Sequence, residues 1–222
     1  MKTYTSSWRY TMAMFLLFMV AGGCYAQKSK SQLAVSKTWQ QRMDKAIPDM
    51  KEEYTLQFNA GMWDSSPIFR KTGLTKEEWP TLITWPVANF FLDNTAFMNL
   101  QQESKIEELV RLDTTYVTYL CFSNKKNTKG IKVSGTLRYG VWTRQSMEGL
   151  GNYSDTVKLF YRKKIPMYQL RIEIVTAERP RTLLIFKENG RFMAYLPIAG
   201  RSLPLMDILM DYQANVKNNR LF

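Results

Sequence analysis

Two cysteines, Cys24 and Cys121, and no histidine bound the chemistry open to this chain of 222 residues. Without an imidazole there is no near-neutral general base and no pH switch of the usual kind. Ser-His-Asp hydrolysis and a Cys-His nucleophile pair are excluded, as are zinc sites that mix nitrogen and sulfur ligands. Neither a Gly-x-Gly-x-x-Gly turn nor a P-loop is present, and Gly149-Leu150-Gly151 is too short to cradle a phosphate. Cys121 lies in the apolar run Tyr119-Leu120-Cys121-Phe122, which fits a small buried hydrophobe. Asp207 and Asp211 stand four apart and would share one helix edge. Such a pair could hold a cation or do acid–base work in a histidine-free hydrolase. The same spacing also serves a solvated helix edge. No cofactor is implied.

The remaining chemistry is charge. Lysine and arginine number 31 against 19 aspartates and glutamates, a net +12. Such a balance points to acidic partners: phospholipid head groups, acidic glycans, a negatively charged envelope protein, or nucleic acid. No nucleic-acid-binding motif accompanies it. The cations fall in two groups. Lys125, Lys126 and Lys129 crowd a loop at 123–130. Lys132, Arg138, Lys158, Arg162 and Arg171 occupy the polar positions of alternating strand-like runs, together with Gln169 and Glu173. If those runs pair as neighbours, the side chains converge on one cationic face, either solvated or a docking surface. Arg138, Trp142, Arg162 and Arg171 form the expected contact surface, with Lys158 beside them.

The elements that must position these residues are strands first. Alternation at period two predicts strands over Ile131–Trp142, Thr156–Arg162, Tyr168–Val175, Thr182–Lys187 and Arg191–Leu196. Asn189-Gly190 between the last two is a hairpin signal, because a type I′ turn needs positive φ at both central residues. Asp113–Phe122, rich in Thr, Tyr and Val, adds a strand joined to Ile131 through the basic loop. Short connections argue for an antiparallel meander.

Helical spacing marks Thr38–Phe58, with a break near Ile47 before Pro48. Thr75 and Glu78 match a capping box for a short turn ahead of Trp79-Pro80. Pro86–Phe91 can restart a helix after Trp85, and the two Trp-Pro pairs offer either a binding shelf or wedges between helix and sheet. Asn94–Leu112 has the best apolar stripe, capped by Asp93 or Asn94. Gln145–Ser154 and Pro197–Pro204 read as turns, and Leu205–Val216 as a terminal helix. The fold class expected is α+β: helices first, an antiparallel sheet of five or six strands, and a C-terminal helix. Residues 38–112 form the helical lead-in to one globular unit with 113–222.

The N-terminus is a targeting segment over 1–26. Lys2 and Arg9 precede an uncharged run, Thr11–Val20, and Cys24-Tyr25-Ala26 offers small residues for a cut before Gln27. The alternative is lipidation at Cys24 after Ala21-Gly22-Gly23. Removing residues 1–26 takes away two cations and leaves 29 basic against 19 acidic side chains, a net +10. Gln27–Lys37 is a basic tether. The chain is expected to be exported, either periplasmic or lipid-anchored to the envelope.

This layout resembles small exported accessory proteins of unknown role encoded among bacterial conjugative-transposon transfer genes. The points of contact are the signal ending Cys24-Tyr25-Ala26-Gln27, the aromatic helical lead-in, Leu137-Arg138-Tyr139-Gly140-Val141-Trp142, and Lys187-Glu188-Asn189-Gly190-Arg191-Phe192. The resemblance implies an accessory part of an envelope-spanning transfer apparatus and assigns no catalytic residue. The function expected is therefore non-catalytic: an envelope interaction protein whose basic surface meets an acidic partner. A periplasmic module binding lipid or glycan is the alternative.

Overall fold

The computed structural model describes residues 33, 35–62, 65, 67–126, 128–151, 153–175, 180–196 and 201–218. They belong to one unit, Gln32–Phe222. The segment 1–26 expected to be a targeting signal, with Cys24, most of the expected tether 27–37, and residues 197–200 lie outside the described residues.

Two helices open the fold, α1 (Lys37–Lys45) and α2 (Ile47–Gln57). Ser36 caps α1 by accepting from the Trp39 N–H, and Pro48 sits in the first turn of α2, where its missing N–H costs nothing. After a short helix α3 (Pro67–Arg70), the Glu78 carboxylate accepts from the Thr75 N–H at 2.9 Å, the reciprocal half of the expected capping box. A single 3₁₀ turn, Trp79–Thr81, then leads into strand β1 (Ile83–Leu92). The helix expected over Pro86–Phe91 is thus a strand inside the helical lead-in. Proline is tolerated there because β5 pairs with β1 only from Ala88 onward, so at Pro86 the strand has one neighbour.

The long helix expected over Asn94–Leu112 is broken into α4 (Asn94–Asn99) and α5 (Ile106–Leu109). Asp93 caps α4 by accepting from the Ala96 N–H at 2.8 Å. Strand β2 (Arg111–Phe122) follows, then β3 (Ile131–Arg138) and β4 (Val141–Gly149). The single strand expected over Ile131–Trp142 is two, folded back at Tyr139-Gly140, both at positive φ (53° and 82°). The loop expected over Gln145–Ser154 is strand β4 as far as Gly149, and its last two residues open the next helix.

The strand expected over Thr156–Arg162 is a helix, α6 (Tyr153–Lys163). Tyr153, Val157 and Phe160 are spaced for one helix face and all three are buried. Strands β5 (Met167–Ile172), β6 (Arg181–Glu188), β7 (Arg191–Leu196) and β8 (Arg201–Pro204) complete the sheet, β8 falling where a turn was expected. The Asn189-Gly190 hairpin is present, with φ of 50° and 81°. The terminal helix α7 (Leu205–Lys217) packs back as expected, and buried Gln213 donates to the carbonyls of Phe97 and Leu100.

The sheet has eight strands in the order β4-β3-β2-β1-β5-β6-β7-β8. It is larger than the five or six expected, and it is two antiparallel meanders back to back. The seam between them is the one parallel pair in that order, β1 with β5. The main core lies on one sheet face, where Phe90, Tyr119, Val133 and Ile185 meet Met43, Tyr54, Trp79, Phe97 and Leu209 of the helical elements. The second face carries α6, which covers Val87, Leu120, Phe122, Met167 and Phe186.

Gly135 sits at a bulge of β3 against β4. A Cβ there would lie 2.6 Å from the Trp142 ring and closer still to the Thr143 carbonyl. Gly135→Ala is therefore expected to cost about 3 kcal/mol in a urea titration, since backbone cannot retreat as a side-chain tip can.

Candidate functional site

The structure gathers five of the eight candidate residues at one corner. Lys158 of α6 is 5% exposed and is no free surface cation. Its ammonium donates to the carbonyls of Lys125 (3.2 Å) and Thr128 (2.8 Å) and to the Thr128 hydroxyl (3.3 Å). All three donors are matched, and burial holds its pKa below the usual lysine value. The Gly130 N–H donates to the Ser154 hydroxyl at 2.6 Å, and the Leu150 N–H to the Gly130 carbonyl at 2.7 Å. The basic loop is thus fastened along α6, which brings Lys126 and Lys129, both exposed, toward Arg162, one turn beyond Lys158. Lys125 pairs with Glu78.

The end of α6 adds to this corner. Lys164 takes positive φ (54°), the Ile165 N–H donates to the Phe160 carbonyl, and the Lys164 N–H to the Tyr161 carbonyl. This is a Schellman ending with lysine where glycine is usual. It sets Arg162, Lys163 and Lys164 at the negative end of the helix dipole. Among these cations Leu159 and Tyr161 are 44% and 40% exposed. Tyr161 is held by edge contacts with Trp85 (5.6 Å) and Phe122 (5.4 Å between centroids).

Arg138, Trp142 and Arg171 do not join this corner, so the single cationic face expected from strand alternation does not form. It required α6 to be a strand. Arg138 is exposed at the far end of β3, roughly 23 Å from Ile131 at 3.3 Å per residue. Trp142 is only 7% exposed and packs on Tyr119 at 5.6 Å, so it is core, not contact surface. Arg171 is partnered: its guanidinium meets Asp113 at 3.3 Å and lies over the rings of Phe91 and Tyr116. The two Trp-Pro pairs form no shelf. Trp79 is fully buried, with its indole N–H on the Lys51 carbonyl, and Trp85 is half-buried beneath Tyr161.

A second site was missed by reading the strands as apolar-in and polar-out. On the face that carries α6, a polar row crosses the strands: Ser134 beside Thr118, then Asn89, then Gln169. All four are buried. The Ser134 and Thr118 hydroxyls are 3.1 Å apart, and Thr118 donates to Asn89 Oδ1 at 3.0 Å. Asn89 Nδ2 donates to the carbonyls of Tyr116 and Val87. Ser134 must then be the donor to Thr118, which gives the chain one direction. The row ends at Gln169, whose Oε1 is buried without a partner. An orphan of this kind costs about 1–3 kcal/mol. Gln169 lines a cavity of about 130 Å³ together with Lys132, Glu148, Leu150, Tyr153, Thr182, Leu184 and Tyr195. The signal was present in the sequence as one uncharged polar residue in each of four strands.

The remaining chemical candidates are inert by environment. Cys121 is fully buried, and burial pushes its thiol up to about 12, far from a nucleophilic thiolate. Asp207 and Asp211 are both exposed, and Asp211 accepts from Asn215 on its own helix. Among the described residues no three of Cys, Asp or Glu come together as a metal site, and no helix is long and apolar enough to cross a membrane. No protein-family model matches the chain, and comparison with curated proteins and with solved structures returns no match.

Proposed function

We propose that this chain is an exported, non-catalytic interaction protein of the cell envelope whose basic corner docks on the acidic face of a protein partner. The observation that carries the reading is the Lys158 clamp. Burying an ammonium is costly unless its donors are filled. Here they are filled by loop carbonyls and a hydroxyl rather than by a carboxylate. The loop is therefore fixed while its positive charge is kept, which suits a surface built to meet anions. Leu159 and Tyr161 supply the apolar patch, and Lys126, Lys129, Arg162 and Lys163 supply a rim. Cations so placed accelerate encounter and make binding sensitive to salt. An accessory role in an envelope-spanning transfer apparatus is the setting that the sequence resemblance implies.

The test is a pull-down of the tagged full-length protein from its native envelope after mild crosslinking. Lys126→Glu combined with Arg162→Glu is expected to lower partner recovery by about tenfold or more and to leave the thermal midpoint unchanged, since both side chains are exposed. Recovery that ignores the double reversal would sink the assignment. Loss of binding to anionic vesicles, with no protein partner recovered, would replace the protein partner by a lipid surface.

A further inference from the structure

We infer that the cavity at Gln169 is a binding site for a neutral, hydroxyl-rich small molecule of monosaccharide size. It is separate from the basic corner and stands without that reading.

The inference begins at an unmet hydrogen-bond demand. Gln169 is 2% exposed and its Oε1 has no partner. Its register partner across the seam, Asn89, cannot help, because both functions of the Asn89 amide are committed to Thr118, Tyr116 and Val87. Gln169 faces a cavity, so the missing partner is one that enters from solvent.

The lining defines that partner. Lys132 and Glu148 are cross-strand neighbours, paired at 2.9 Å, so the wall bears no net charge. The pair still offers two ammonium donors and a second carboxylate oxygen. A lone anion or a lone ammonium would bring a net charge that one member of this pair attracts and the other repels. A wholly apolar guest would leave Gln169 unpaired. A polyol ring supplies donors for Gln169 Oε1 and for Glu148, acceptors for Lys132, and C–H faces for Leu150, Leu184 and the Tyr153–Tyr195 ring pair. The Tyr153 hydroxyl is spent on the Tyr195 carbonyl at 2.7 Å, which holds the rings as fixed walls. The cavity of 130 Å³, at about 30 Å³ per water in the liquid, has room for about four waters, so it takes one edge of a sugar ring and leaves the rest in the mouth. Exposed Thr182 and the half-exposed Glu148 side chain mark the mouth.

The experiment is calorimetric titration and thermal melting of the full chain with glucose, galactose, mannose and N-acetylglucosamine, with glycine, acetate and propylammonium as charged controls. At least one sugar is expected to bind saturably, with a dissociation constant below about 10 mM, and to raise the melting temperature. Gln169→Leu is expected to weaken that binding by about tenfold or more, yet to raise the melting temperature of the free protein, because an orphan amide is replaced by an apolar group of similar size. A purely structural glutamine would lose stability instead. Thr182→Val, at the exposed mouth on a strand that suits valine, should weaken binding with the fold intact. The site is overturned if no sugar binds saturably, if binding survives unchanged in both variants, or if a charged control binds in place of the sugars.

Discussion

Trp79→Ala is expected to lose about 4 kcal/mol of folding stability in an equilibrium urea titration, in the middle of the range for a buried aromatic truncated to alanine. Trp79 is 1% exposed and stands edge-on to Tyr54 (5.6 Å) and Phe58 (5.2 Å), and Phe58 in turn to Phe69 (4.9 Å). These rings come from three separate elements ahead of β1, so the indole joins the N-terminal helices to one another. Its N–H also satisfies the Lys51 carbonyl at 3.0 Å. Trp79→Phe keeps most of the ring packing and gives up that hydrogen bond and some volume, so it should cost about 1–2 kcal/mol. A loss below about 1 kcal/mol for the alanine variant would mean that the cluster collapses onto the hole, against the near-crystalline packing expected of such a core.

The second large effect is alkaline. Burial raises the Cys121 thiol from the usual 9.0 to about 12. In the unfolded chain the thiol gives up its proton near the usual value, while the folded chain keeps it. Above pH 9 the folded state therefore holds more protons, and stability must fall as pH rises. At about 1.4 kcal/mol per pH unit, the contribution amounts to roughly 2–3 kcal/mol by pH 11. Tyr54, Tyr119 and Tyr153 are also raised by burial and act in the same direction at higher pH. Lys51 and Lys158, lowered by burial, act in the opposite direction. Comparing wild type with Cys121→Ala removes the part of those contributions that does not depend on the Cys121 charge, which also acts on Lys51, Tyr54 and Tyr119. The stability advantage of wild type over the variant should shrink by roughly 2–3 kcal/mol between pH 8 and pH 11. A gap that stays constant would show that the thiol is reached by water in the folded state. A thiol-directed reagent should likewise label Cys121 only as fast as the protein unfolds.

The parts of this fold legible in the sequence are those where a physical requirement falls on one or two residues. Asn189-Gly190 announces its turn because both positions must take positive φ, and Asp93 announces α4 because a carboxylate can fill the open N–H groups. Residues 156–162 misled because seven positions satisfy period two and a helical face about equally. Only Tyr153, three residues upstream, breaks the tie, by extending the stripe through Val157 to Phe160. β1 was hidden by Pro86, whose exclusion from central strands lapses where one flank is unpaired. The basic corner was half legible. Lys125, Lys126 and Lys129 were visible as a basic loop, but the residue that fastens the loop, Lys158, looks like any other surface cation until its three acceptors are seen. The residues of the polar row stand in plain view in the sequence, but their joint burial does not, for a related reason. Alternation tells that a strand has two faces, but not that a helix will lie across the second.

The parallel seam also sets an order in time. Ala88 and Tyr168 are partners across β1 and β5 yet stand 80 positions apart in the chain. The antiparallel pairs on either side close over shorter connections, from the two-residue turns at Tyr139-Gly140 and Asn189-Gly190 to the stretch 93–110 between β1 and β2, the tight turns on the microsecond scale. The seam must wait for a closure whose entropic cost and slowness grow with that separation. Each meander is therefore expected to assemble first as an independent half-sheet, with β1 and β5 as its open edges. Those two strands are the edges that a neighbouring unfinished chain could capture. The centre of the finished sheet is thus the edge of its precursors, and yield on refolding should depend on protein concentration through this one step.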